Sequence, residues 1–132
     1  MIHATGTFDV RITPQTDDKG GDPALSRMTI DKQFHGDLEG TSKGQMLAAG
    51  DAKTSGVYVA IEKFSGTLKG RSGTFILHHT GLMTRSVPQL SIAVAPDSGT
   101  GELTGLTGTF TIKIAADGKH SYEFEYTLPE TK

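Results

Sequence analysis

Residues 108–126 read GTFTIKIAADGKHSYEFEY, and this stretch indicates the fold more clearly than any other. Large apolar or aromatic side chains alternate with polar ones on both sides of Asp117-Gly118. A period of two residues places successive side chains on opposite faces of a β-strand. Asp-Gly between two such segments favours a type I′ turn, because both central residues of that turn need positive φ. The stretch therefore predicts a β-hairpin with one apolar face.

The same alternation occurs along most of the chain. Apolar residues recur at every second position in 8–12 and again in 90–94, and the stretch 28–34 follows the same pattern with Lys32 among its large residues. Turn-forming residues separate these runs: Asp97-Ser98-Gly99-Thr100 is a second predicted hairpin tip, and residues 14–23 form the longest polar loop. We predict about eight strands, at residues 3–13, 25–36, 37–49, 55–66, 69–83, 88–96, 101–115 and 119–128.

Glycine accounts for 17 of the 132 residues, and many of these glycines belong to a repeated pattern. Residues 66–75 and 101–110 share glycines at the same spacing and end in Gly-Thr-Phe, and residues 36–46 follow the pattern with one insertion. A glycine inside a strand marks a bulge or bend, and recurring bends let a sheet curl until it closes. We therefore predict one domain, residues 1–132, folded as an all-β, closed antiparallel β-barrel. A two-sheet sandwich is the alternative.

Composition excludes several classes of function. The chain has 13 Lys and Arg and 15 Asp and Glu, a net charge of -2, and no basic run that could neutralise successive phosphates, so we expect no nucleic-acid partner. The longest apolar runs have about five residues, whereas a membrane helix needs about 20, so we expect no membrane span. Cysteine is absent, which excludes disulfides and thiolate chemistry. The strand pattern begins near residue 5 without a signal-peptide pattern, and we expect a cytoplasmic location.

Gly40-Thr41-Ser42-Lys43-Gly44 matches the G-x-S-x-G pattern of a serine-hydrolase nucleophile elbow. That motif requires a sharp turn between a strand and a helix, which exposes the serine hydroxyl beside an oxyanion hole. Strand patterns precede and follow the motif here, so we interpret it as a strand containing glycines and reject a hydrolase.

Glu62 is the most informative single residue. It follows the run 57–61, which is apolar on both faces and is typical of a strand buried on both sides. Tyr58, Ala60 and Phe64 share its face. Burial on such a face raises a carboxyl pKa, so we predict that Glu62 is a general acid or base in the lumen, with Tyr58 and Phe64 as ligand-binding residues. The alternative is an outward carboxylate paired with Lys or Arg.

His79 shares a face with Phe75 and Leu77, and we predict that it enters the same lumen from the next strand. A Glu62–His79 pair suits proton transfer, and both are our candidate catalytic residues. A structural hydrogen bond between strands is the alternative. We add His35 and Glu39 to the candidate ligand-binding residues.

The five histidines do not form a metal-binding motif. His78 and His79 are adjacent, so one strand directs them to opposite faces. A metal site would require His35, His79 or His120 to converge with a glutamate from another strand. We therefore expect no metal and no other cofactor.

Five groups of residues carry a resemblance to a known family. They are Phe34-His35-Gly36-Asp37-Leu38-Glu39-Gly40-Thr41-Ser42, Tyr58-Val59-Ala60-Ile61-Glu62, Gly70-Arg71-Ser72-Gly73-Thr74-Phe75 with His79, Pro96-Asp97-Ser98-Gly99-Thr100-Gly101-Glu102-Leu103 and His120-Ser121-Tyr122. In these residues the chain resembles the bacterial family called domain of unknown function 3224, and the resemblance covers nearly the whole chain. The resemblance implies an allene oxide cyclase-like (calycin-like) β-barrel, often assembled into oligomers. It implies no activity, because the family is uncharacterised.

Three functional hypotheses follow. The first is a barrel that binds a small, mainly apolar molecule in its lumen, through polar groups such as Glu62, His79, Tyr58 and His35. The second is a cofactor-free cyclase or isomerase that uses a lumen carboxylate as acid or base, so whether the protein is an enzyme stays open. The third is a structural or interaction barrel with a filled core. We also expect a homo-oligomer, a dimer or higher, because strand 55–62 is apolar on its outer side as well.

Overall fold

The computed structural model describes residues 2–15, 22, 24–51 and 53–129. Within these ranges the chain forms eight β-strands and one short 3₁₀-helix, Gly101–Leu103. The strands are β1 (Ile2–Pro14), β2 (Leu25–Gly36), β3 (Leu38–Gly50), β4 (Gly56–Leu68), β5 (Arg71–Thr84), β6 (Val87–Val94), β7 (Thr107–Ile114) and β8 (His120–Thr127). The predicted loop 14–23 lies mostly outside the described residues.

Each strand pairs antiparallel with the next one in the chain, and β8 pairs with β1 to close the barrel. The predicted closed antiparallel barrel is confirmed, and the sandwich is excluded. Seven of the eight predicted strands agree with the structure to within two residues at each end. In the described part of the chain, no helix is long and apolar enough to cross a membrane.

The β7–β8 hairpin is confirmed, but its predicted turn type is wrong. Gly118 has a φ of 88°, whereas Asp117 is not among the residues with positive φ, as a type I′ turn would require. The Ala115 N–H donates to the Lys119 carbonyl at 2.9 Å, and the Gly118 N–H donates to the Ala115 carbonyl at 2.9 Å. The loop therefore has three residues, with glycine in the left-handed position.

The seventh strand begins at Thr107, not at residue 101, and residues 97–100 are not a hairpin tip. Gly101 and Gly105 have φ values of 60° and 85°, which interrupt an extended strand. Between β6 and β7 the chain instead crosses one end of the barrel, where Leu103 and Leu106 are completely buried. Burial of these leucines closes that end, which we call the closed end.

Aromatic side chains fill the half of the barrel next to the closed end. The Phe64 and Phe75 rings lie 4.9 Å apart, and the Phe110 and Phe124 rings lie 4.1 Å apart. Phe34 packs edge-on against Phe64. This half is a packed core, as expected for the interior of an eight-stranded barrel.

The opposite half is less completely closed. In the described chain, β6 and β7 pair only at Ile92–Phe110 and Ala93–Thr109, and then separate. The turns β3–β4, β5–β6 and β7–β8 lie at this end, which we call the open end. The barrel is therefore filled at one end and accessible at the other.

The outer side of β4 differs from the prediction that this strand is buried on both faces. Val57, Val59 and Ile61 point outward and are 42%, 48% and 63% exposed. Leu47 on β3 lies opposite Val59, and Leu82 on β5 lies opposite Val57, and both are exposed as well. These five residues form an exposed apolar patch, which we call the outer apolar face.

Tyr122 connects β8 to the β2–β3 turn at the closed end. The Leu38 N–H donates to its hydroxyl oxygen at 2.9 Å, and the hydroxyl donates to the His35 carbonyl at 3.1 Å. Burial, together with the negative charges of Asp37 and Glu39, raises the pKa of Tyr122 from 10.0 to about 12, although the hydrogen bond from Leu38 favours the phenolate. The protonated hydroxyl is therefore the stable form in the folded barrel.

We expect Tyr122→Phe to cost about 1–3 kcal/mol of unfolding free energy at neutral pH, because the buried Leu38 N–H loses its acceptor. The folded-state pKa is raised, so the contribution of Tyr122 is complete below pH 10.0 and falls as the pH rises towards about 12. The unfolding free energy of the wild type should therefore fall across this pH range, and that of Tyr122→Phe should fall by a smaller amount. Denaturant unfolding at neutral pH and at intervals up to about pH 11 measures both effects.

Tyr126→Phe is the matched control, because Tyr126 is also buried on β8 but its hydroxyl has no hydrogen-bond partner within the described residues. It should cost less than about 1 kcal/mol. Equal losses for the two variants would contradict the role given to the Tyr122 hydroxyl.

Candidate functional site

A cavity of about 510 Å³ occupies the open end of the barrel. Strands β2 to β6 and the turns between them supply its walls, because their inward-facing positions at this end carry small or flexible side chains. The walls are mostly apolar. The inward-facing lining residues are Ala24, Ser26, Met28, Met46, Ala48, Gly50, Gly56, Tyr58, Gly81, Met83, Pro88 and Leu90, and the cavity is also bordered by Ala49, Val57, Leu82 and Gln89, which are at outward-facing positions of their strands.

Methionines give this cavity adaptable walls. Met28 on β2 and Met46 on β3 are directly opposite each other in the strand register, and Met83 on β5 lies near the rim. An unbranched thioether side chain changes rotamer easily and fits irregular shapes. The cavity therefore suits apolar molecules of more than one shape.

Tyr58 forms the inner wall of the cavity. A Cβ atom on Gly81, its cross-strand neighbour, would lie 2.0 Å from the Tyr58 ring, so only glycine leaves room for this ring position. The ring centroid lies 6.4 Å from that of His79. Burial, and secondarily the negative charge of Glu62, raises the pKa of Tyr58. Tyr58 therefore separates the apolar cavity from a charged group below it.

That charged group consists of Lys32, Glu62 and His79, which we call the lumen cluster. The Lys32 ammonium lies 3.1 Å from both oxygens of the Glu62 carboxylate. His79 Nε2 lies 3.5 Å from Glu62 Oε1, a distance that gives electrostatic attraction but not a well-formed hydrogen bond. Lys32, Glu62 and His79 are 9%, 1% and 5% exposed. The barrel thus holds a buried ion pair with a histidine beside it.

A glycine on the intervening strand permits this contact. Lys32 is on β2 and Glu62 is on β4, and Gly44 of β3 lies between them, directly opposite Glu62. A Cβ atom on Gly44 would lie 2.6 Å from the Cα and Cβ atoms of Glu62. The missing side chain allows the ammonium to reach across β3 to the carboxylate.

The electrostatics of Glu62 differ from the prediction. Burial raises its pKa, but the polar contact with His79 and the positive charge of Lys32 lower it by more, so the pKa lies below the ordinary 4.5. The expectation that burial raises the pKa of Glu62 overall is therefore wrong, while its role as a general acid or base stays a prediction. At neutral pH Glu62 is a carboxylate, which accepts protons and hydrogen bonds.

Three buried polar atoms have no well-aligned hydrogen-bond partner within the described residues: Ser42 Oγ, His79 Nε2 and Glu62 Oε2, the last of which is 3.1 Å from the Lys32 ammonium in the ion pair. Ser42 is directly opposite Lys32 in the strand register. A void of about 10 Å³ lies among Lys32, Glu62, His79 and the surrounding apolar side chains. The cluster therefore has unused hydrogen-bonding capacity, which is uncommon for buried polar groups.

The structure brings together three of the six predicted site residues. Glu62, His79 and Tyr58 lie on the inner faces of β4 and β5, as expected. Phe64 also points inward, but it is completely buried in the aromatic core and does not line the cavity. Its predicted contact with a ligand is therefore not supported by its position.

His35 and Glu39 are on the outside of the barrel, contrary to the prediction. His35 lies 3.5 Å from Asp9 and 3.9 Å from Glu39, and both His35 and Glu39 are exposed. Their neighbours Phe34 and Leu38 point inward, so the period of two residues directs His35 and Glu39 outward. His35 borders a separate surface groove of about 490 Å³.

Lys32 and Ser42 are the site residues that sequence reasoning missed. The alternation that places Ile30 and Phe34 inside the barrel also places Lys32 inside, so the signal was present. Ser42 lies in the rejected nucleophile motif, and the inward positions Leu38 and Met46 have the same parity. A lysine or serine at an inward position is the feature that would have identified them.

Among the described residues, one group has the composition of a metal site: His3, Glu123 and Glu125. Their ligand atoms lie within 4.8 Å of one another, on the outer side of β1 and β8. They are partly or fully exposed, and the group does not include the lumen histidine. His35, His79 and His120 do not converge with it.

Comparisons with known proteins give a family and a fold but no activity. The profile of a family described as "Protein of unknown function (DUF3224)" matches residues 4–126. A crystal structure of a DUF3224 protein of unknown function from Shewanella oneidensis MR-1 is 46% identical, covers 99% of each chain and has a TM-score of 0.89. No curated protein matches the chain.

We expect strong energetic coupling between Lys32 and Glu62. Lys32→Met or Glu62→Leu alone leaves an unpaired buried charge, and each should cost about 3–5 kcal/mol of unfolding free energy. The double variant removes both charges and should be more stable than either single variant. Denaturant unfolding of the four proteins gives the coupling energy.

The exposed pair Lys43–Asp31, 3.7 Å apart on neighbouring strands, is the control. Its double-mutant cycle should give a coupling below about 1 kcal/mol, because water screens both charges. Additive losses at Lys32 and Glu62 would show that the buried contact does not hold in solution.

Proposed function

This chain belongs to the DUF3224 protein family, whose function is unknown, and from its own geometry we propose that it binds a small, mainly apolar molecule in the cavity at the open end of the barrel. The tail of the molecule lies among the methionines and alanines of the wall. Its polar end points inward, towards Tyr58 and the lumen cluster.

One observation carries this proposal: the cavity of about 510 Å³ in the lumen, with mostly apolar walls. Small-molecule sites in proteins have volumes of roughly 300–1,000 Å³ and combine apolar walls with a few polar groups. A barrel with no ligand has no need for such a space, because small barrels fill their interior with side chains. The aromatic core does this in the other half of the same barrel.

The lumen cluster supports the same proposal, because it places polar atoms at the inner end of the apolar cavity. Tyr58 lines the cavity and also contacts His79, so it joins the two regions. The charges of Glu62 and Lys32 would orient the dipole of a polar group on the ligand. His79 Nε2 has no hydrogen-bond partner within the described residues and can bond to the same group. A ligand with one polar end and an apolar remainder fits this arrangement.

We expect the neutral apolar dye Nile red to bind saturably and decanol to displace it. Ala48→Trp places an indole in the cavity and should weaken dye binding at least about tenfold, because the space is lost. A fluorescence titration measures the affinities. Near-ultraviolet circular dichroism reports whether each variant keeps its fold.

Ser91→Trp is the matched control, because Ser91 lies beside the cavity residue Leu90 but faces outward. It should bind the dye with wild-type affinity. Absence of saturable binding to the wild type, or equal affinity of Ala48→Trp, would refute the proposed site.

We further propose that the outer apolar face packs against the same face of a second copy. Val59 lies at its centre between Leu47 and Thr80, and no charged side chain lies opposite it on either neighbouring strand. Two sheets pack face to face through such uncharged positions, and this packing removes the exposed apolar side chains from water. The partner copy would bury the outer side of β4, which the apolar run 57–61 predicts to be buried.

We expect the wild type to sediment as a dimer or larger oligomer at about 100 µM, and Val59→Lys to shift it towards the monomer. A charge at the centre of an apolar interface has no partner and loses its hydration. Ser65→Lys is the control, because Ser65 faces outward on the same strand but lies beyond the patch. Analytical ultracentrifugation distinguishes the species, and a monomeric wild type would refute the interface.

A further inference from the structure

We propose that Lys32 captures an apolar aldehyde from the cavity as a covalent imine, with Glu62 as its counter-ion. The inference rests on the proposed function, because it requires the lumen to admit a small apolar molecule. It goes further by naming the reactive group of the ligand, an aldehyde, and the atom that binds it, Lys32 Nζ.

The location of Lys32 is the first argument. It is 9% exposed, and lysine is almost never buried to this degree unless it is paired. Met28, a cavity residue, lies four residues away on the same face of β2, a distance of about 13 Å along the strand. A medium-length alkyl chain spans this distance, so once the aldehyde group has passed Tyr58 it reaches Lys32 while its tail remains in the cavity.

The chemistry of the amine is the second argument. A lysine that forms a Schiff base must pass its ammonium proton to a nearby acceptor before the free amine can attack a carbonyl carbon. The Glu62 carboxylate is such an acceptor, with both of its oxygens 3.1 Å from the Lys32 nitrogen. The exposed Lys43 has only a longer contact, 3.7 Å to the water-exposed carboxylate of Asp31.

The reaction balances with the groups present. The Lys32 ammonium transfers one proton to Glu62, and the free amine attacks the aldehyde carbon to form a carbinolamine. The carbinolamine hydroxyl takes up a proton and leaves as water, which gives a carbon–nitrogen double bond. The resulting iminium ion carries the positive charge that the ammonium carried, and Glu62 is again a carboxylate.

Conservation of charge is the third argument. The iminium ion keeps one positive charge beside the Glu62 carboxylate, so the buried ion pair persists through the reaction. The ring of Phe8 lies 5.1 Å from the Lys32 nitrogen, and the ring of Phe34 lies 5.9 Å from it, and both faces attract a cation. Few apolar sites could hold a charged adduct, and this one already holds the equivalent charge.

Ser42 supplies the fourth argument. Its hydroxyl is buried, has no hydrogen-bond partner within the described residues and is directly opposite Lys32 on the next strand. A hydroxyl donates to a carbonyl oxygen and accepts from a carbinolamine. The unused hydroxyl is therefore free to hydrogen-bond the oxygen of the aldehyde.

The test treats the purified full chain with decanal and sodium cyanoborohydride, which reduces an iminium ion to a stable secondary amine. We expect the intact mass to show one adduct, and peptide mapping to place it on Lys32. Lys43 is the internal control, because its side chain is 83% exposed. Lys32 should react at least about tenfold faster than Lys43. If the lysines react in order of their solvent exposure and Lys32 stays unmodified, the proposal is overturned.

Three variants sharpen the result. Lys32→Arg keeps a cation opposite Glu62 but cannot form an imine, so it should give no stoichiometric adduct, and near-ultraviolet circular dichroism checks that it keeps its fold. Ala48→Trp should slow the modification of Lys32 at least about tenfold, and Ser91→Trp should not change it. An unchanged rate in Ala48→Trp would show that the aldehyde does not arrive through the cavity, and would overturn the proposal.

The two proposals fail in distinguishable ways. Displacement of Nile red by decanol, without modification of Lys32 by decanal, would overturn the imine and leave the proposed function standing. Absence of both would overturn both.

Discussion

Pairing of β1 with β8 is the constraint on which the rest of the structure depends, because it converts a sheet into a closed surface with an inside. Every second residue then points into a space of fixed width, which side chains must fill or leave as a cavity. Aromatic rings and Leu103 and Leu106 fill one end. Smaller and more flexible side chains face inward at the other end, and the open cavity is the direct result.

The Lys32–Glu62 pair lies between these two halves. A buried ion pair is weak evidence for stability, because desolvation of the charges offsets much of their attraction. Its cost falls when the geometry is good, and here both carboxylate oxygens meet the ammonium at the same distance. An apolar pair in the same place would extend the core without this cost. The position of the charged pair at the inner end of a cavity is the feature from which the proposed chemical role is argued.

The family and the similar crystal structure establish the architecture and leave the ligand to be inferred from the lumen. The reversed pKa shift of Glu62 is the most useful guide. A protonated carboxyl in an apolar pocket would favour an acid-initiated cyclisation. A carboxylate paired with an amine and next to a histidine favours the stabilisation of a cation instead. Tyr58, which packs against Gly81, lies between the cavity and these groups.

The sequence by itself determined the barrel, because strand alternation and turn residues are local properties that eight segments repeat independently. It also determined that Glu62, His79 and Tyr58 share an interior, since parity along a strand fixes the face of each side chain. The same parity places Lys32 inside and His35 and Glu39 outside, so these errors came from the interpretation and not from missing information. Only the tertiary structure decided that Lys32 reaches Glu62 across Gly44, that Leu103 and Leu106 close one end, and that the other end holds a cavity. These features depend on the stagger between strands and on contacts between residues far apart in the chain, and no single segment encodes either of them.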